Sequence, residues 1–101
     1  MKLIELNLQR IFDLCRLHNV RTLSVFGSIL TDRFNDDSDV DFLVDFGDID
    51  HDKFDYVSNY FSLRDALEAL FGRKVDLIEE RGLKNKFFIR NINRTKRLIY
   101  G

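Results

Sequence analysis

The sequence predicts a small α+β domain in which a mixed β-sheet is packed on one side by helices. Residues Leu3 to Leu17 carry apolar side chains at helical spacing, whereas Asp39 to Phe46 alternate between apolar and polar side chains, as a strand does. The connection between the first two predicted strands is too short for a full crossover helix. These two strands are therefore expected to pair antiparallel.

The N-terminal quarter of the chain predicts one helix followed by one strand. An amphipathic helix over Leu3 to Leu17 would turn its apolar stripe, including Cys15, toward the core, and it would end at His18-Asn19. Arg21 to Phe26 is short and rich in residues that favour strands. We therefore expect a buried strand that ends at Gly27.

The second strand is predicted to have one apolar and one acidic face. A short helix is expected to begin at Ser28, and the cluster Asn35-Asp36-Asp37-Ser38 predicts a turn before the strand. The strand itself would cover Asp39 to Phe46. One face would carry Val40, Phe42, Val44 and Phe46, and the other Asp39, Asp41, Leu43 and Asp45.

Three further elements are predicted after this strand. Asp52 to Phe71 has the apolar stripe of a long helix, which Asp50 or Asp52 would cap and Gly72 would end. Lys74 to Ile78 predicts a third strand with Asp76 on its polar face, and Leu83 to about Ile92 predicts a last helix. The final apolar residues are expected to tuck back onto the body: Leu98, Ile99 and Tyr100.

Bulk composition predicts one domain over residues 1–101 and a cytoplasmic protein. The chain has 101 residues, 45% of them hydrophobic and 33% charged, with a net charge of −1. No apolar run approaches the roughly 20 residues of a membrane span, and no signal-peptide core is present. Cys15 is the one cysteine, so no internal disulfide can form.

Charge is distributed unevenly along the chain. From Asp32 to Asp55 there are ten Asp and two Lys or Arg, whereas from Arg81 to the end there are seven Lys or Arg and no acid. These segments are either two solvated faces of opposite sign, or an acidic metal-binding rim opposed by a basic tail that meets phosphates or an acidic partner.

The pair Gly27-Ser28 is a candidate phosphate site. Glycine at a strand end lets the backbone approach a ligand closely, and serine at a helix start offers a hydroxyl and backbone N–H groups to an anion. By itself the pair is a weak signal, because a Gly-Ser pair after a strand is more often a plain turn and helix cap.

Three carboxylates are candidates for a metal site. Asp39 and Asp41 share one face of the second strand, where they repel each other unless a cation lies between them. If the third strand neighbours the second, Asp76 joins them, and the three together would suit two divalent ions at a triphosphate. The alternative is an exposed acidic sheet face.

The order and spacing of these motifs resemble the minimal nucleotidyltransferases of the DNA polymerase β-like superfamily, the MntA-type proteins encoded beside HEPN-domain toxins. The matching segments are Val25-Phe26-Gly27-Ser28, then Asp37-Ser38-Asp39-Val40-Asp41-Phe42-Leu43-Val44, then Gly72-Arg73-Lys74-Val75-Asp76-Leu77-Ile78. The resemblance covers roughly residues 23–99 and implies the polymerase β-like nucleotidyltransferase fold.

The resemblance also implies an activity and a role for each motif. Gly27 and Ser28 would bind the triphosphate of ATP, and Asp39 and Asp41 would hold Mg²⁺. Asp76 would complete the metal site and help to deprotonate or position the acceptor hydroxyl. AMP would pass to a hydroxyl with release of pyrophosphate. In MntA-type systems the acceptor is a tyrosine of the HEPN toxin, so the protein would act as an antitoxin by AMPylation.

Two positions depart from the family pattern. Members often have Gly-Ser-x-x-Arg-Gly after the first strand, but Thr31 and Asp32 stand here at the Arg and Gly positions. Arg33, two residues on, is the candidate replacement for the missing cation in nucleotide binding.

Other functions stay open at this point. The same fold can transfer a nucleotide to a small molecule or a nucleic acid end, or act as a non-catalytic antitoxin that covers the toxin. A calcium loop beginning at Asp37 is not favoured, because Phe42 stands where glycine is needed. His18 and His51 show no zinc-ligand pattern. Neither a membrane nor nucleic acid is expected as a partner, and a domain this small would borrow its acceptor site from a partner or a second copy.

Overall fold

The computed structural model describes residues 1–48 and 55–101. Helices are α1 (Lys2–Leu6), α2 (Leu8–Leu17), α3 (Tyr56–Phe71) and α4 (Lys86–Thr95). Strands are β1 (Thr22–Phe26), β2 (Val40–Asp45), β3 (Val75–Glu79) and β4 (Arg97–Tyr100). Short 3₁₀ segments follow β1 (Gly27–Leu30) and β3 (Glu80–Gly82). The predicted caps Asp50 and Asp52, and His51, lie outside the described residues.

Within the described residues, the strands form one mixed sheet in the order β3-β2-β1-β4. The antiparallel pairing of β1 with β2 is as predicted, and β2 runs parallel to β3. The C-terminus differs from the prediction, because Arg97–Tyr100 does more than tuck against the body: it forms β4, antiparallel to β1. The run is four residues long, too short for alternation to identify a strand.

The main core lies between one face of the sheet and helices α1 to α3. The sheet contributes branched and aromatic side chains that alternate along each strand, and the helices contribute residues at helical spacing. Members with almost no exposed surface are Ile4, Ile11, Cys15, Leu23, Val25, Val40, Phe42, Val44, Leu63 and Leu67. Cys15 is a core residue as predicted, and burial raises the pKa of its thiol to about 12.

A second, smaller cluster lies on the opposite face of the sheet. Ile92 of α4 packs with Phe26 and Leu43, and Ile78 and Leu83 border them. Leu43 belongs to the strand face that the sequence marks as polar, yet it is 3% exposed. The helix α4 therefore covers the middle of this face and leaves the ends of the strands for polar groups.

Helix ends follow local capping chemistry. The first predicted helix is two helices, because Asn7 adopts a non-helical conformation and its side-chain amide donates to the Leu3 carbonyl at 2.8 Å. Asp55 caps α3 by accepting from the Ser58 backbone N–H at 3.1 Å, and Gly72 ends it at φ +64° as predicted. In the described part of the chain, no helix has the length and apolarity needed to cross a membrane.

Candidate active site

The parallel register of β2 and β3 brings two of the predicted carboxylates together. Asp41 lies directly opposite Asp76 in this register, and their side chains share a hydrogen bond. Asp39 lies one residue before β2 and close enough for its charge to act on Asp41. Asp41 and Asp76 thus meet at one end of the sheet, and the charge of Asp39 acts on Asp41 from the residue before the strand.

The electrostatics of Asp41 reflect this crowding. Its pKa is raised from 3.8 to about 6, first by burial, then by the hydrogen bond and charge of Asp76, and then by the charge of Asp39. In the described residues, no Lys or Arg forms an ion pair with Asp41. Negative charge is therefore concentrated here without a protein cation to balance it.

Gly27 lies directly against this cluster. Its φ of +78° is a left-handed conformation that favours glycine, and a Cβ built there would overlap Oδ2 of Asp41. The carboxylate therefore occupies the space that a side chain at position 27 would fill. Because Gly27 begins the 3₁₀ segment, the predicted phosphate-binding corner and the predicted metal ligands are in contact.

The turn after Ser28 is closed by Thr31. The Thr31 hydroxyl donates to the Ser28 carbonyl at 2.8 Å, and its backbone N–H donates to the same carbonyl at 2.9 Å. Arg33 is exposed, and its backbone N–H donates to the Thr31 hydroxyl at 3.2 Å. Thr31 thus stabilises the turn internally, while the side chain of Arg33 forms no ion pair with any described residue.

Arg73 supports the site and was not singled out from the sequence. Its Nη1 donates to the carbonyls of Asn35 and Ser38 at 2.8 and 3.0 Å, and its guanidinium lies 4.8 Å from the ring centroid of Phe34. These contacts fix the turn that leads into Asp39. The matching segment Gly72-Arg73-Lys74-Val75-Asp76 contained this residue, but only the fold shows where its side chain reaches.

The donor set suits Mg²⁺ bound together with a substrate. Mg²⁺ is a hard cation that binds oxygen ligands, usually one or two carboxylates together with water and phosphate oxygens. This site offers carboxylate oxygens that repel one another, next to a glycine backbone. Among residues 1–48 and 55–101, no group of three or more His, Cys, Asp or Glu has the geometry of a complete metal site. The protein's contribution therefore centres on Asp41 and Asp76.

The other end of the same strand face is organised differently. Oδ1 of Asp45 accepts from Arg81 Nε at 2.9 Å and from the Gly47 backbone N–H at 3.0 Å. Arg81 also donates to Asp48 at 2.9 Å. Asp48, which would be position 12 of a calcium loop, is thus in an ion pair, and the segment before it is a strand.

The candidate histidine in the described residues is structural. His18 is buried, with Nδ1 2.8 Å from the Leu14 carbonyl and Nε2 3.0 Å from the Ser62 hydroxyl. Both ring nitrogens are thus engaged in hydrogen bonds, and the one to Ser62 joins the end of α2 to α3.

Comparison with known families agrees with this geometry. The family model for "Polymerase beta, Nucleotidyltransferase" matches residues 8–101. The chain is 41% identical to protein adenylyltransferase MntA of Thermococcus cleftensis over 66 residues, which are 65% of this chain and 62% of that protein. It is 34% identical to a provisionally named protein adenylyltransferase of Methanocaldococcus jannaschii, over 82% of this chain and 78% of that protein.

Solved structures show the same fold. A provisionally assigned minimal nucleotidyltransferase superposes with a TM-score of 0.74 at 29% identity, covering 93% of this chain and 90% of that one. A complex of a tri-AMPylated Shewanella oneidensis HEPN toxin with MNT antitoxin gives a TM-score of 0.67 at 20% identity, covering 96% and 71%. These findings confirm the predicted fold class, the family resemblance and the nucleotidyltransferase class of enzyme.

Proposed function

We propose, from the premise that this chain belongs to the polymerase β nucleotidyltransferase family, that it transfers AMP from ATP to a hydroxyl of a partner protein. The observation that carries this proposal is the contact of three elements at one point. Asp41 faces Asp76 across two parallel strands, and the backbone of Gly27 abuts the Asp41 carboxylate.

The proposed metal ligands are Asp39, Asp41 and Asp76. Mg²⁺ bound there would neutralise charge on the triphosphate and on the departing pyrophosphate. The support is the uncompensated negative charge around Asp41, whose pKa is raised by burial, by the hydrogen bond with Asp76 and by repulsion from Asp76 and Asp39. A cation would relieve this repulsion.

The remaining roles follow from position. Gly27 and Ser28 would present backbone N–H groups and a hydroxyl to the triphosphate, and Arg33 would supply a mobile cation from the adjoining turn. Asp76 would accept the proton of the acceptor hydroxyl while the oxygen of that hydroxyl forms a bond to the α-phosphorus of ATP. The bond from that phosphorus to the bridging oxygen would break, and pyrophosphate would leave with the electron pair.

The proposed acceptor is a tyrosine of a HEPN-domain toxin, and the protein would act as its antitoxin. Two considerations support this role: the similarity to a protein adenylyltransferase MntA, and the likeness in fold to an antitoxin bound to an AMPylated HEPN toxin. The basic residues of α4 and the chain beyond it offer a surface for an acidic partner.

The test is transfer of label from ATP. The protein would be incubated with [α-³²P]ATP, Mg²⁺ and a HEPN-domain protein encoded beside it, and peptides would be examined for added AMP by mass spectrometry. We expect a tyrosine adduct that EDTA prevents. Absence of label on the partner under conditions where the two proteins bind each other would contradict the proposal.

A non-catalytic antitoxin is the second candidate function, and the hydrogen bonding of Thr31 favours it. Family members often have arginine at this position, but here the Thr31 hydroxyl donates a hydrogen bond within its own turn. A silent binder would neutralise the toxin equally well with or without ATP. An Asp41→Asn variant that still neutralises the toxin would support this reading.

A further inference from the structure

A cavity adjoins the phosphate-binding corner on the side away from Asp76. It lies between the 3₁₀ segment and α4, has a volume of about 560 Å³ and includes Gly27 in its lining. This falls within the range of about 300–1,000 Å³ of pockets that bind small ligands. Gly27 belongs both to this cavity and to the contact with Asp41, so the cavity borders the residue that lies against the carboxylate.

The walls of the cavity are mainly apolar and aromatic. The apolar lining comes from Phe26, Leu30, Phe88 and Ile92, and the polar lining from Thr31, Asn91, Thr95 and Arg97. The rings of Phe26 and Phe88 meet edge to face at a centroid distance of 6.4 Å. Phe26 is 9% exposed and Phe88 is 39% exposed, so Phe88 presents ring surface for stacking.

These walls suit a nucleobase better than a phosphate. A planar base stacks on an aromatic ring with about 1–3 kcal/mol per base, and the polar edge of a base can pair with an amide such as that of Asn91. A triphosphate placed against the four apolar side chains would lose hydration at those contacts, which apolar groups cannot replace.

The order of the strands separates this cavity from the acceptor. Asp76 lies on β3 at one edge of the sheet, Asp41 lies on β2, Gly27 follows β1, and Arg97, which also lines the cavity, begins β4 at the other edge. The attacking and leaving oxygens lie roughly in line across the transferred phosphoryl group. An acceptor activated by Asp76 therefore approaches from the β3 side, and the cavity remains for the nucleoside.

We propose that this cavity receives the adenine base of ATP, stacked on the ring of Phe88; this inference rests on the proposed function. Phe88 is then a binding residue that sets the preference for a nucleotide over a bare polyphosphate. Asn91 is placed to read the edge of the base.

Phe87 provides a matched control for Phe88. Both residues lie in the first turn of α4, and both backbone N–H groups donate to the side chain of Asn85 at 3.0 Å. Phe87 is 80% exposed and does not line the cavity. Alanine at either position therefore perturbs the same helix turn, but only one removes a wall of the cavity.

The experiment is calorimetric titration of ATP and of tripolyphosphate, each with Mg²⁺, into four proteins: unsubstituted, Phe88→Ala, Phe88→Trp and Phe87→Ala. We expect Phe88→Ala to weaken ATP binding by about 5- to 150-fold, the range that loss of one base stack of about 1–3 kcal/mol produces. Its affinity for tripolyphosphate should stay within about twofold, inside the few tenths of a kcal/mol that independent sites show. Phe88→Trp should retain ATP affinity, and Phe87→Ala should change neither ligand.

Each other outcome contradicts the inference in a distinguishable way. If the unsubstituted protein binds neither ligand, the proposed function fails and this inference fails with it. If ATP binds normally and Phe88→Ala leaves its affinity unchanged, only the assignment of the base to this cavity is overturned. Equal weakening of both ligands, or failure of Phe88→Trp to bind ATP, also overturns it.

Discussion

Two aspartates on the same face of β2 have opposite surroundings. Asp41 and Asp45 are four residues apart, or about 13 Å along a strand. Asp45 is bonded to Arg81 at 2.9 Å, and its side chain is 11% exposed. Asp41 instead shares a hydrogen bond with another acid and has its pKa raised to about 6.

The difference separates a structural carboxylate from a functional one. At Asp45 the protein provides its own cation and a backbone N–H, so the charge is compensated within the fold. At Asp41 the described residues provide only further negative charge, which costs stability unless a ligand brings a cation. Sites that bind metals and phosphates carry such a cost in the unliganded protein.

The largest effect is expected on transfer. Asp41→Asn should lower the rate of AMP transfer by about 10³-fold or more, because metal stabilisation of transition-state charge supplies several kcal/mol. Asp45→Asn is the control and should retain activity within about threefold, since its cost falls on stability. Rates of label transfer from ATP, measured for both variants, check this. Equal losses in the two variants would remove the distinction between the two ends of the strand.

A smaller loss of transfer is expected for Arg73. Arg73→Ala removes both hydrogen bonds that Arg73 donates to the turn before Asp39, and misplacement of a reacting group by about 1 Å can cost up to 10²-fold. We expect transfer to fall by about tenfold. The nearby Lys74→Ala variant serves as the control, since Lys74 is exposed and forms no ion pair with a described residue. If Arg73→Ala transfers AMP at the rate of the Lys74 variant, the turn does not depend on Arg73.

Stability should change in opposite directions at the two ends. Without metal at pH 7, Asp41→Asn should raise the free energy of unfolding by about 1 kcal/mol, after allowance for solvent screening at a partly exposed site. Asp45→Asn should lower it by about 1 kcal/mol through loss of the charge-assisted bond from Arg81. Urea unfolding of both variants measures this. A destabilised Asp41→Asn would mean that the carboxylate is compensated in the fold.

The smallest expected effect is a change in how the free energy of unfolding depends on pH. Because the pKa of Asp41 is raised in the folded state, from 3.8 to about 6, the folded protein binds the proton more tightly than the unfolded chain does. This contribution is fully present below about pH 4 and is lost as the pH rises through 6. The free energy of unfolding of Asp41→Asn and of the unsubstituted protein should be measured across pH 4–7 without metal. The gap between the two values, in favour of Asp41→Asn, should widen as the pH rises. A constant gap would contradict the raised pKa.

Much of the site was predictable because its signals are local and periodic. The alternation from Val40 to Phe46 indicates which face of the strand Asp41 occupies, and Gly27 marks the strand end before it. The sequence predicts three strands, and Asp41 and Asp76 lie close together if β2 and β3 are neighbours. In the structure these strands are neighbours, and their register places the two residues directly opposite each other.

What the sequence did not reveal depends on contacts between distant residues. The strand β4 is defined by its hydrogen bonds to β1, and four residues carry too little periodicity to predict it. Arg73 acts on carbonyls 35 and 38 residues away. The burial of Leu43 requires the contact with Ile92 of α4, which no local pattern around Leu43 encodes.

Binding of a divalent cation to the Asp41 end of β2 is the most direct test of this account. Mn²⁺, which suits carboxylate and water ligands as Mg²⁺ does, can be titrated into the protein and followed by electron paramagnetic resonance. We predict that Asp41→Asn weakens Mn²⁺ binding at least about tenfold, or about 1.4 kcal/mol, while Asp45→Asn binds as the unsubstituted protein does. Equal Mn²⁺ affinity in all three proteins would contradict the account.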